Sequence, residues 1–165
     1  MIKHFLTLLT VAALTVITVD AKTVKLPSDD AAVASITFPD DWDVEEMEGG
    51  YGGDSADDHV YLAAVVVKNE TDMNSQIDEA FEMLKEHNVE LDTDSKKENK
   101  FKINGMEATE LLFQGKDEDG PCGVSISFVT MKNNLVILTY WVTTAEEAKH
   151  QATVGKIVAS LKPAK

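Results

Sequence analysis

The sequence predicts an α+β protein: an α/β/α sandwich with a central, mostly antiparallel sheet of about six to seven strands and a helix on each face. Three observations predict it. The segments HVYLAAVVVK (59–68) and LVILTYWV (135–142) are apolar on both sides of a period-two pattern, so each is a strand that needs cover above and below. Successive strand-like runs are joined by tight-turn residues, which makes antiparallel neighbours of them. Only two stretches carry a helical period.

In chain order, Lys22 to Asp30 read as an unstructured lead-in. Ala31 to Phe38, apolar at Val33, Ile36 and Phe38, is a first strand that stops at Pro39. Asp40 and Asp41 make an acidic turn, and a short second strand runs from Trp42 to Met47 before the glycine-rich stretch GGYGGDSADDH, residues 49–59. After the 59–68 strand the period changes. Met73, Ile77, Ala80, Phe81 and Leu84 form one stripe with Glu, Asp and Lys opposite, an amphipathic helix from Asp72 to about Val89.

The charged run Glu90 to Lys100 reads as a solvated connection. Phe101 and Ile103 begin a strand broken at Asn104-Gly105, a dipeptide that supplies the positive φ of a two-residue hairpin turn, and Met106 to Gln114 runs back. Gly115 to Gly123 is a second turn region, Cys122 to Met131 a further strand, and Asn133-Asn134 turns into 135–142. Thr144-Ala-Glu-Glu147 has the pattern of a capping box, and Ala148, Ala152, Ile157, Val158 and Leu161 carry a closing helix.

The N-terminus has a basic start, an uncharged run from Phe5 to Val19, and small residues before Lys22. This is the anatomy of a secretory signal peptide, residues 1–21, with cleavage expected after Ala21 and a single domain over 22–165. As a membrane span the run is too short, so stable membrane insertion is not expected after cleavage. The expected location is periplasmic or extracellular. A lone cysteine, Cys122, excludes an intramolecular disulfide, and the fold must rest on packing.

Cleavage would remove Lys3 and Asp20 together and keep the net charge at −14, a field that repels nucleic acid and anionic lipid. All 15 basic residues are lysines. Bidentate recognition of phosphate normally uses arginine, so the composition argues against nucleotide, phosphoester and nucleic-acid chemistry. Cations or a basic protein partner suit the charge better.

The 49–59 stretch carries the nearest thing to a chemical signal. Asp54, Asp57 and Asp58 supply carboxylates, and Asp57 and His59, two apart where a strand begins, share a face as the start of a metal site for a divalent cation. Glycine and aspartate also serve any solvated acidic turn, which is the first reading of the loop. Asp117-Glu118-Asp119-Gly120 raises the same question and reads as hairpin chemistry. Ser125 and Ser127 lack the strand-to-helix turn of a nucleophile elbow and fall inside a strand, lining a polar-tolerant face. His87 and His150 read as exposed helix residues. Met73, Met83, Phe81, Trp42 and Trp141 read as core. Asn69-Glu70-Thr71 fits a glycosylation acceptor.

A first strand ending in Phe38-Pro39-Asp40-Asp41-Trp42, a central amphipathic helix, the strand pair around Ile103-Asn104-Gly105-Met106-Glu107-Ala108 and a last helix closing Ile157-Val158-Ala159-Ser160-Leu161 together resemble the PsbP-like superfamily. That group includes the extrinsic photosystem II protein, Ran-binding Mog proteins and exported bacterial proteins of unknown role. The resemblance implies the fold and an accessory or binding protein of a larger protein assembly, without catalytic activity. It brings over no binding residue. The alternatives are a cation-binding protein using the 49–59 loop and a hydrolase on an unrecognised site.

Overall fold

The strands that the sequence predicts to be buried on both faces lie at the centre of the sheet. The computed structural model describes residues 21–68 and 73–164, the side chains of Lys68 and Met73 excepted; the signal-peptide reading of residues 1–20 and the Asn69-Glu70-Thr71 acceptor lie outside them. β5 (Val60–Lys68) pairs antiparallel with β9 (Asn134–Thr143) along its whole length. Around them run β3 (Asp43–Met47), β4 (Gly50–Asp54), β6 (Glu90–Ile103), β7 (Met106–Asp117) and β8 (Gly120–Thr130), giving seven strands in the order β3-β4-β5-β9-β8-β7-β6. Every pairing is antiparallel.

Alternation along β5 and β9 splits the core in two. Tyr61, Ala63, Leu135, Ile137 and Trp141 face one way, where Ala80 and Leu84 of α1 (Met73–Glu86) pack on them. Val60, Leu62, Ala64, Val136 and Leu138 face the other way, against Val154 and Ile157 of α2 (Glu147–Ser160) and Leu161 beyond its end. This is the expected helix on each face. The second face carries an additional layer: β1 (Ala21–Leu26), β2 (Ala34–Pro39) and β10 (Lys162–Pro163) form a three-stranded sheet in the order β1-β2-β10, and its Leu26, Ile36 and Phe38 are fully buried.

Turn chemistry behaves as expected at Asn104 and Gly105, whose φ values of +49° and +83° join paired Ile103 and Met106 in two residues. α1 ends on Asn88 at φ +59°. There Val89 N–H donates to Leu84 O at 2.8 Å and Asn88 N–H to Lys85 O at 3.0 Å, the Schellman pair.

Five expectations need correction. The lead-in from Lys22 is a strand, β1; Val24 and Leu26 are its buried side, and two apolar positions among Lys22, Thr23 and Lys25 are too short an alternation to read. The connection 90–100 belongs to β6, an edge strand with a register shift between Asp92 and Lys97. Being at the edge and mostly solvated, it needs no apolar period, and its charges discourage edge-to-edge pairing. Half of the glycine-rich loop is β4. Its Gly50 lies so close to β5 that a Cβ would stand 1.9 Å from Ala64 O, so glycine here serves close approach and not a mobile loop. The capping box does not form: Glu146 is the N-cap, without a side-chain cap bond, while Thr144 N–H is taken by Pro121 O at 2.9 Å. Finally, Ala148 and Ala152 are exposed, and the buried stripe of α2 runs through His150, Val154 and Ile157.

Candidate functional site

Two features on the α2 face of the sheet bring functional groups together. The first is a cleft of about 830 Å³ between α2 and the strands β6 to β9. Its floor follows from strand alternation. Phe101, Ile103, Leu138 and Val142 supply apolar surface, and Val154 and Val158 of α2 form the opposite wall. Polar groups share the lining with these, among them Asn99, Glu110, Ser127, Tyr140, His150 and Gln151. Ser125 Oγ donates to Glu110 Oε1 at 2.8 Å, Asn99 Nδ2 donates to Glu110 Oε2 at 3.3 Å, and Ser127 and Tyr140 stand beside them on the cleft side. Burial, with the nearby Glu110 and Glu147 carboxylates, raises the Tyr140 pKa and keeps the phenol protonated as a donor. The expectation that the two serines line a polar-tolerant face is met, since both are buried here.

Gly155, in the middle of α2, also lines this cleft, and a Cβ placed on it would meet nothing within 4 Å. Nothing in the fold therefore demands glycine there, although glycine in an exposed helix interior costs about 1 kcal/mol relative to alanine. The missing side chain leaves the cleft wide along α2.

The second feature sits at the N-terminal end of α2. Residues 55–59 close the β4–β5 hairpin: Asp58 adopts φ +60°, Ser55 Oγ accepts from Val60 N–H at 3.0 Å and donates to Asp57 Oδ1 at 2.8 Å. Thr143 N–H, at the end of β9, donates to His59 O at 3.1 Å and ties the hairpin to the segment that leads into α2. Asp57 is thereby presented to the first turn of α2. Lys149 Nζ donates to Asp57 Oδ2 at 2.5 Å and stands 3.6 Å from Glu146 Oε2. This ammonium, followed by Ser55 and His150, holds the Asp57 carboxyl well below the usual carboxylate range against the opposing effect of burial. The Lys149 pKa is raised in turn by Asp57.

Asp57 meets Lys149, His150 and Glu146, while His59 Nδ1 lies 3.8 Å from Asp119 Oδ2. His150 was expected on the exposed side of its helix and is buried at 8% exposure. A signal for this existed: His150 stands four residues before Val154 and seven before Ile157, the spacing of one helix face. His87 is exposed as expected, yet its ring lies 4.9 Å from Tyr61 and 5.2 Å from Trp141 on the α1 face. Trp42 and Trp141 are core, as expected, at 7% and 9% exposure. Asp117 to Gly120 form a hairpin turn in which Asp117 Oδ1 accepts from Asp119 and Gly120 N–H groups. Cys122 is buried on the α1 face, where burial and then Asp117 push its thiol pKa up to about 12.

No protein-family model matches the sequence, and no curated protein matches it. Solved structures do. The chain is similar to cyanobacterial PsbP (CyanoP) from Synechocystis sp. PCC 6803, with a TM-score of 0.58 and 10% identity over 93% of this chain and 98% of that one. It is also similar to LpqN, involved in cell envelope biogenesis of Mycobacterium tuberculosis, with a TM-score of 0.57 and 14% identity over 88% of this chain and 91% of that one. A Bacteroides thetaiotaomicron structure matches with a TM-score of 0.54 and 16% identity over 80% of this chain and 45% of that one. At these identities the likeness is one of fold: an α+β chain with the PsbP-like fold, as the resemblance of its anchor residues implies.

Proposed function

We propose that this protein is an exported, non-catalytic accessory module that holds an apolar segment of a partner protein in the cleft between α2 and the sheet. Export rests on the N-terminal signal pattern, and the accessory role on the kinship in fold. The observation that carries the cleft is Gly155, a residue that costs helix stability, that no neighbour requires, and that keeps the groove open. An apolar floor bordered by oriented polar groups suits a binding groove. Lys100 and Lys102 line it together with Glu110 and Glu147, and the two lysines pair with Glu98 and Glu107, so the charges around the cleft balance and the apolar walls set its preference.

The candidate nucleophiles weigh against catalysis. Cys122 is a neutral thiol at any ordinary pH, and Ser125 directs its hydroxyl at a carboxylate that already accepts from Asn99. A photo-crosslinking residue at Gln151, exposed on the cleft wall, should give one discrete protein adduct in the exported fraction of the native cells; the same residue at Glu82, on the outer face of α1, should give none. Equal labelling from both positions, or turnover of a substrate by the purified protein, would overturn the reading.

A further inference from the structure

At the first turn of α2 three ligand-type atoms converge. One oxygen each from Asp57 and Glu146 and one nitrogen from His150 lie within 4.8 Å of one another. Two carboxylates near a helix start would say little alone. The imidazole is a separate observation: His150 is 8% exposed, and its Nε2 is buried without a hydrogen-bond partner. That nitrogen points into the cluster, 3.2 Å from Asp57 Oδ2, but off the line a hydrogen bond requires. A buried polar atom left in this way normally costs stability and calls for an explanation.

The spacing supplies one. Two donors held tetrahedrally at about 2.0–2.2 Å by a single zinc ion stand roughly 3.3–3.6 Å apart and do not point at each other. The His150 and Asp57 atoms are already within a tenth or so of an ångström of that arrangement, and Glu146 is near enough to be the third. We propose that Asp57, Glu146 and His150 form a binding site for a divalent transition-metal ion of the zinc type, in which the Lys149 ammonium holds the two carboxylates of the metal-free chain.

The donor set selects the class of ion. One imidazole nitrogen with two carboxylate oxygens suits zinc and its neighbours, whereas calcium and magnesium take oxygen alone. Three protein ligands leave a fourth position, and Asp57 and His150 border a second cavity of about 700 Å³ that gives it room. The outer shell is in place too. Ser55 Oγ donates to Asp57 Oδ1 and so orients the carboxylate while Oδ2 faces the cluster. Lys149 can leave, since its side chain is 60% exposed. On binding, the ammonium gives up Asp57 Oδ2 and Glu146 Oε2 to the ion and moves into solvent. The site stands whether or not the cleft takes a partner, because its readout involves metal alone.

Zinc titration of the metal-stripped purified protein by calorimetry, with cobalt(II) as the spectroscopic probe, tests it. The expected result is one equivalent of zinc bound and a visible cobalt band of tetrahedral type. Lys149→Ala should tighten zinc several-fold, a gain that misfolding cannot imitate. Asp57→Asn and His150→Gln should lose the binding, and Glu146→Gln should weaken it, while His59→Gln should leave it unchanged. Zinc affinity unaltered in His150→Gln, affinity lost in His59→Gln, or no zinc bound by either the parent or Lys149→Ala would overturn the assignment.

Discussion

Gly50 shows how one residue can fix the register of the sheet. It pairs opposite Val65, and a methyl group there would stand 1.9 Å from the Ala64 carbonyl oxygen, which belongs to the backbone of a central strand and cannot yield. Gly50→Ala should therefore cost about 3 kcal/mol or more, at the upper end of overpacking penalties, in urea unfolding. A variant as stable as the parent would show that β4 and β5 have slack. Buried acids set the alkaline limit. Tyr61 is raised from 10.0 to about 12 by burial, then by Asp54 and Glu45; Cys122 is raised from 9.0 to about 12 by burial and then Asp117. The unfolded chain loses these protons first, so their contribution to stability is full below pH 9 and falls as pH rises toward 12. Phenolate absorbance from Tyr61 should grow in together with loss of circular dichroism. Full ionisation of all 3 tyrosines near pH 10 in a folded protein would contradict this. His150 is the residue the sequence reading misplaced most consequentially. Its neighbours Lys149 and Gln151 are polar, yet the helix face through Val154 and Ile157 places it inside, and Asp57 reaches it only through a hairpin far away in sequence.

At the scale of elements, what was legible depended on whether an element is buried. β5 and β9 carry apolar residues on both faces because both faces are covered, and α1 shows its stripe because only one face is. β1 and β6 gave no such signal. β6 lies at the sheet edge with most of its side chains in water, so neither face had to be apolar, and its charged sequence passes for a loop until the pairing with β7 is seen. β4 was obscured by glycines that close approach demands. α2 is legible as a helix, but its start is set by the turn after β9, in which Glu146 N–H donates to Thr143 O at 2.9 Å, and not by a capping side chain. The same helix carries a testable excess of glycine. Gly155→Ala should stabilise the protein by roughly 0.5–1 kcal/mol, because the site is helical, exposed and open around the added methyl. A rise in melting temperature checks it, and a fall would mean that packing needs the glycine after all.

Over the whole molecule, the fold brings together groups that composition cannot. In a chain of net charge −14, Lys96, Lys97, Lys100 and Lys102 share edge strand β6 with Glu90, Asp92, Asp94 and Glu98, so this edge is locally balanced, and Lys100 and Lys102 reach the cleft opposite α2. The PsbP-like architecture was readable from its anchor residues, whereas the cleft was not: it arises from Phe101, Leu138, Val154 and others that no linear pattern groups. Function in such a fold lies in what its grooves admit. The decisive measurement compares crosslinking from Gln151 in Gly155→Leu and Gly155→Ala proteins. Both substitutions suit a helix and a Cβ here meets open space, so both proteins should fold, but only leucine projects beyond Cβ and narrows the cleft beside Val154 and Val158. The account predicts that the adduct persists in Gly155→Ala and disappears in Gly155→Leu. An adduct of undiminished yield from the folded Gly155→Leu protein would contradict it.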